Sequence, residues 1–222
     1  MLYKTKGIVL NSFKYGDSSV VVHIYTRDFG RQAYLVNGVR GKTGKFRFNN
    51  FQPLTILDLQ VDHKPMRELQ RLRELHIAQP FYHIYTNIVK NTIALFIGEV
   101  LYRCVNDTEG NKPMFDYIES AVQVLDICSD GYANFHLLFL IHFTRFLGIF
   151  PENSNELDNF QPVDASFKVH SLINFALNEP YKLFLSNTLR VQLVIALIDY
   201  YRYHLEGMGK INSLEVLHEV FA

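Results

Sequence analysis

Tryptophan is absent from the 222 residues, and cysteine occurs only at Cys104 and Cys128. Two thiols are too few for a disulfide framework or an all-cysteine zinc site, and they fit a reducing compartment. Long apolar runs are also missing. The longest, near residues 92–97 and 135–143, fall short of a membrane span. Lys4 and Lys6 lead into polar and turn residues rather than into the core of a signal peptide. A cytoplasmic protein without a membrane segment is therefore expected. No phosphate-binding P-loop, dinucleotide fingerprint or nucleophile elbow occurs. Gly41-Lys42-Thr43 is followed by Gly44 and by no helical pattern, which makes it an accidental match. His136 and His142 are six apart, not a ligand spacing on one helix face. Neither cysteine has a His or second Cys at zinc spacing, and both are expected to be small packed apolar groups. No catalytic residue, metal ligand or cofactor is assigned, and binding without catalysis is expected.

What the chain does have is an uneven distribution of charge. The formal net charge is zero, yet residues 1–80 carry thirteen Lys and Arg against six Asp and Glu, or +7. The remainder carries nine against sixteen, or −7. Such a split points to a polyanion as the partner of the basic part.

The basic part reads as short strands closed by turn residues. Ile8-Val9-Leu10 ends at Tyr15-Gly16-Asp17-Ser18. Residues 19–26 form the next strand, turned by Arg27-Asp28-Phe29-Gly30, and 32–36 the third. In 54–62 the residues Leu57, Leu59 and Val61 alternate with Asp58, Gln60 and Asp62. Residues 69–77 make a fifth strand. Five strands in under eighty residues predict a small closed barrel of the oligonucleotide-binding (OB) type, which removes the exposed edges of an open sheet. The fold class is thus α+β: a barrel over 1–79, then an all-helical domain over 80–222. The helices are placed at 81–105, 113–128, 134–147 (apolar nearly all round), 187–205 after the N-cap Ser186, and 213–220, with a short one in 167–177. Residues 152–166 read as a loop.

The candidate polyanion contacts follow from residue chemistry. Cations neutralise phosphate, glycine permits close backbone approach, and aromatic rings offer a stacking face. Gly38 to Phe48 combines all three. Arg40, Lys42, Lys45 and Arg47 are placed first, then Lys6, Lys14, Arg27 and Arg31, with Phe46 and Phe48 as stackers. Tyr25 and Tyr34 lie inside strands, where core packing competes with stacking.

The order of short motifs resembles the RecO family of bacterial DNA repair and recombination mediators. It is carried by Lys6-Gly7-Ile8-Val9-Leu10, Tyr15-Gly16-Asp17-Ser18, Thr26-Arg27-Asp28-Phe29-Gly30, Val36-Asn37-Gly38-Val39-Arg40-Gly41 and Leu69-Gln70-Arg71-Leu72-Arg73-Glu74. It recurs at Arg145-Phe146-Leu147-Gly148-Ile149-Phe150-Pro151 and at Tyr200-Tyr201-Arg202-Tyr203-His204-Leu205. The resemblance implies an OB barrel followed by a helical domain, and binding of single- and double-stranded DNA. It implies annealing of complementary strands and help in loading RecA onto DNA covered by single-stranded-DNA-binding protein (SSB). It further implies RecR as a partner and docking of the SSB C-terminal tail on the helical part, with Arg145 and Arg202 as rim residues. Many members carry a cysteine zinc module after the segment matching 147–151; here 152–166 contains no Cys, so zinc is not carried over. The alternative is a protein-interaction scaffold that does not touch DNA.

Overall fold

A computed structural model describes residues 1–39, 46–160 and 167–221. Five strands, β1 (Leu2–Tyr15), β2 (Ser19–Thr26), β3 (Gly30–Val36), β4 (Ile56–Asp62) and β5 (Leu69–Ile77), close a barrel in the order β1-β2-β3-β5-β4. All pairings are antiparallel except β3 with β5. The α+β reading and the five-stranded OB-type barrel hold. Seven helices follow among the described residues: α1 (His83–Thr86), α2 (Ile88–Cys104), α3 (Lys112–Ile127), α4 (Phe135–Phe143), α5 (Ser154–Asp158), α6 (Asn187–His204) and α7 (Ser213–Phe221). The chain divides into two compact units: Met1–Phe81 with Gly98–Ser120, and Tyr82–Ile97 with Ala121–Ala222.

The barrel core is built by the alternation that strand geometry imposes. Val20, Val22 and Ile24 of β2, Tyr34 and Val36 of β3, and Leu57, Leu59 and Val61 of β4 point inward and are buried. Two bulges interrupt the alternation. One falls at Leu10 in β1, between the pairs Val9↔Ile24 and Asn11↔His23. The other falls at Arg73 in β5, between Val61↔Leu72 and Gln60↔Glu74. Gly7 stands where neighbouring strands crowd: a Cβ there would lie 2.5 Å from Ile24 Cγ2 and 2.7 Å from Leu59 Cδ1. Tyr25 points away from the core yet is fully buried, because Phe115 of α3 stacks on it at 6.3 Å. Both Tyr25 and Tyr34 are therefore packed and offer no stacking face.

The second half of the same unit is fastened to the turn between β2 and β3. Gly30 has φ +61°, and a Cβ on it would fall 2.6 Å from the Glu109 carbonyl oxygen. A Cβ on Gly110 would fall 2.5 Å from the Arg27 carbonyl oxygen. The Arg31 N–H donates to the Asp107 carbonyl at 2.7 Å. Main chain thus meets main chain, which only glycine allows at such range.

The chain departs from the expected helices at several places: α4 ends at Phe143 rather than at Leu147, and the short helix expected in 167–177 is a 3-10 turn at Val169–Asn174. The helix expected over 81–105 is broken at Asn87, which is extended and caps α2 by accepting from the Val89 and Lys90 N–H groups. The restart resets the helical phase, and Ile88 is exposed. In α3 the buried face is Met114, Phe115, Ile118, Ala121, Val122 and Leu125. Residues 152–166 include the short helix α5, capped by Asn153. Ser186 does cap α6, its hydroxyl accepting from Leu189 N–H at 3.2 Å. Both Tyr200 and Tyr201 are buried, their hydroxyls donating to the Ile149 and Leu140 carbonyls at 2.7 Å. Cys104 and Cys128 are half-buried rather than fully packed, each thiol donating to a backbone carbonyl.

Candidate nucleic-acid interface

β5 carries Arg71 and Arg73 out of the barrel wall by simple alternation, and its bulge then turns Glu74 outward as well and Leu75 inward. Gln70, Leu72 and Leu75 turn inward, so Leu69, Arg71, Arg73 and Glu74 turn outward. A bulge of this kind re-aims a side chain at the cost of one ladder position. Arg71 and Arg73 line a groove of about 600 Å³ with Leu35, Val36 and Asn37 of β3, Phe46, Arg67 and Leu69. The parallel seam between β3 and β5 is its floor.

The loop before β5 is held by one buried amide. Gln70 is 1% exposed; its Nε2 donates to the Lys64 and Arg67 carbonyls at 2.8 and 2.7 Å, and its Oε1 accepts from Lys64 N–H at 3.0 Å. This places Arg67 at the groove. Asp62 balances part of the charge, lying 3.6 Å from Arg67, 3.8 Å from Arg73 and 3.3 Å from the N-terminal amine. The bond from that amine, with the nearby cations, holds the Asp62 carboxyl below its ordinary value. Arg71 lines the groove and has no hydrogen-bond or ion-pair partner among the described residues. Beside the groove, Phe29 stacks on His63 at 4.2 Å and meets Tyr3 edge-on at 5.3 Å.

The residues named from sequence distribute as follows. Arg40, Lys42 and Lys45 lie outside the described residues. Arg47 is exposed at the start of the 3-10 turn Phe48–Phe51. Phe46 is half-buried against the barrel core and borders the groove, and Phe48 is 44% exposed. Lys14 is exposed at the end of β1. Lys6 and Arg27 are engaged by the chain's own acids: Lys6 Nζ donates to Glu119 at 2.7 Å, and Arg27 forks onto Asp116 with two bonds of 3.1 Å. Arg31 donates to the Tyr102 carbonyl at 2.7 Å and lies 5.4 Å from that ring. Arg145 sits 4.4 Å over the Phe150 ring, and Arg202 pairs with Asp199 at 3.0 Å. Arg67, Arg71 and Arg73 were not among the expected contacts. Their signal was available, since Arg71 and Arg73 are two apart in a predicted strand and so share a face.

The comparisons with known proteins now bear on this surface. Residues 1–81 match the family model for Recombination protein O N terminal, and residues 85–171 that for Recombination protein O C terminal. The chain belongs to the RecO family. DNA repair protein RecO of Phocaeicola vulgatus is 35% identical over 241 aligned residues, with all of both chains covered. Those of Flavobacterium psychrophilum and Bacteroides fragilis are 36% and 34% identical, again with full coverage of each chain. A RecO-family DNA repair protein thus presents, on its N-terminal barrel, a groove with arginines on its wall. No helix among the described residues is long and apolar enough to cross a membrane.

Proposed function

We propose that the protein is a non-enzymatic recombination mediator whose barrel grips the sugar-phosphate backbone of single- and double-stranded DNA and anneals complementary strands. The observation that carries this reading is the β3–β5 groove, where Arg67, Arg71 and Arg73 converge beside Phe46 and Arg71 has no competing partner among the described residues. Annealing requires two phosphate backbones to approach, and cations that screen them lower that barrier. The groove's lining of arginines beside Leu69 and Phe46 suits a chain of phosphates with bases lying on the apolar side chains. The loop cations Arg40, Lys42, Lys45 and Arg47 follow β3 in sequence and are proposed as phosphate contacts from their chemistry. The helical part is the docking platform for proteins: RecR, and the acidic, apolar C-terminal tail of SSB. Through these contacts the protein helps RecA onto covered strands in a bacterial cytoplasm at the nucleoid.

The test is strand annealing of complementary oligonucleotides, with and without SSB, by full-length protein and by a variant with Arg40, Lys42, Lys45 and Arg47 all changed to Ala. The wild type should accelerate annealing, and the variant should lose most of that acceleration and flatten the salt dependence of binding. No acceleration by the wild type, together with tight binding of a protein partner, would favour the scaffold reading instead.

A further inference from the structure

Two barrel cations are held by carboxylates of α3. Lys6 and Arg27 are neighbours on the β1–β2 edge, joined by a bond from Arg27 N–H to the Lys6 carbonyl at 3.0 Å. Opposite them stand Asp116 and Glu119, three apart on α3 and therefore on one helix face. Lys6 Nζ donates to Glu119 Oε1, and Arg27 Nε and Nη2 donate to the two Asp116 oxygens. A forked guanidinium receives a carboxylate and a phosphate in the same bidentate geometry.

These pairs are accessible to a competitor. The side chains of Lys6, Arg27 and Asp116 are 44%, 39% and 52% exposed, and that of Glu119 is 19% exposed. Exposed pairs contribute little to stability and exchange easily. The acids, by contrast, are kept at hand by the backbone contacts of Gly30 and Gly110 described above, which give them a high effective concentration at the cations. The clasp also lies away from the groove: β3 runs from the Gly30 turn to Val36 at the groove wall, roughly 20 Å at strand rise. A strand seated in the groove does not need the clasp, whereas a polyanion that follows β3 reaches both.

We propose that Asp116 and Glu119 are intramolecular phosphate mimics that keep Lys6 and Arg27 in reserve as a second polyanion contact, one that nucleic acid opens by displacing them. This rests on the reading of the barrel as a polyanion binder. The experiment uses full-length protein and a fluorescent oligothymidylate, with anisotropy titrations over a fourfold range of salt. Asp116→Asn with Glu119→Gln should bind more tightly at low salt. Its log–log salt slope should steepen by about 1.4, two single-strand phosphate contacts, which is about a sevenfold greater loss of affinity over that range. Glu119→Gln alone leaves the Arg27 fork intact and should give about half the gain in slope. Adding Lys6→Ala and Arg27→Ala should change the slope more in the Asn/Gln background than in wild type. Slopes of wild type and the Asn/Gln variant that superimpose, with unchanged thermal unfolding, overturn the proposal while leaving the groove in place. A wild type that does not bind the probe at low salt overturns the DNA-binding reading itself.

Discussion

Changing both Arg71 and Arg73 to Ala removes two outward cations from the groove wall without touching the inward Gln70, Leu72 or Leu75 that seat β5. The loss should be electrostatic and independent of base sequence, because strand-borne arginines on a barrel wall meet phosphates. For single-stranded DNA each lost contact lowers the log–log salt slope by about 0.7, so the pair should lower it by about 1.4. Arg71 should carry the larger share. Arg73 is drawn toward Asp62 at 3.8 Å, whereas Arg71 has no such competitor among the described residues. The assay is anisotropy with oligothymidylate and with a mixed-sequence strand, at several salt concentrations, on protein whose unfolding midpoint is unchanged. The expected result is a family of lines that converge toward high salt, with the same shift for both probes. Lines that stay parallel to the wild type, or a shift confined to one sequence, would refute the assignment of the groove to backbone phosphates.

Two further predictions concern the frame that holds these surfaces. Gly30→Ala must place a Cβ at φ +61° and against the Glu109 backbone, while Gly16→Ala meets a similar φ of +62° with nothing within 4 Å. Gly16→Ala should cost about 1–2 kcal/mol and Gly30→Ala distinctly more. The two should be separated by several degrees in thermal unfolding, and equal midpoints would deny the close contact between the β2–β3 turn and residues 107–110. His136 is fully buried between Phe96 and Phe221, with Arg190 and His218 the nearby charged or titratable groups, and burial holds its pKa down at about 3. Because the folded value lies below the ordinary 6.5, the neutral ring's contribution is complete above pH 6.5. It is lost as the unfolded chain takes up a proton on acidification, by on the order of 2 kcal/mol at pH 5. Denaturant unfolding at pH 7 and pH 5 should show this loss, and His136→Phe should remove most of it. An equal loss in that variant would assign the effect to half-buried histidines such as His23 and His142, whose pKa values are also lowered by burial.

The barrel was legible because its turns are marked by Gly and Asp and its inner positions alternate, as in Leu57, Leu59 and Val61. The second half of β5 was less legible for a specific reason. Period-two reading of residues 69–77 assumes one phase, but the bulge at Arg73 changes phase within the strand, so that Leu72 and Leu75 both face the core. Gln70 adds to the difficulty: a polar residue at a core position looks like a misfit until its three bonds to the preceding loop are seen. β1 hides its first half in the same way, since Tyr3-Lys4-Thr5-Lys6 reads as polar although it pairs with β4 along its length. The cations picked from sequence were chosen by sign and proximity in the chain, and sign alone does not distinguish a free arginine from one already answered. Arg27 and Arg71 look alike in a charge count. One is forked onto Asp116, eighty-nine residues away, and the other faces an open groove. That distinction depends on the meeting of the 27–30 turn with residues 107–110, a contact between backbones that leaves no periodicity or motif to read. The charge asymmetry of the chain is consequently not a simple division of labour, because part of the acidic half is spent on the barrel's own cations.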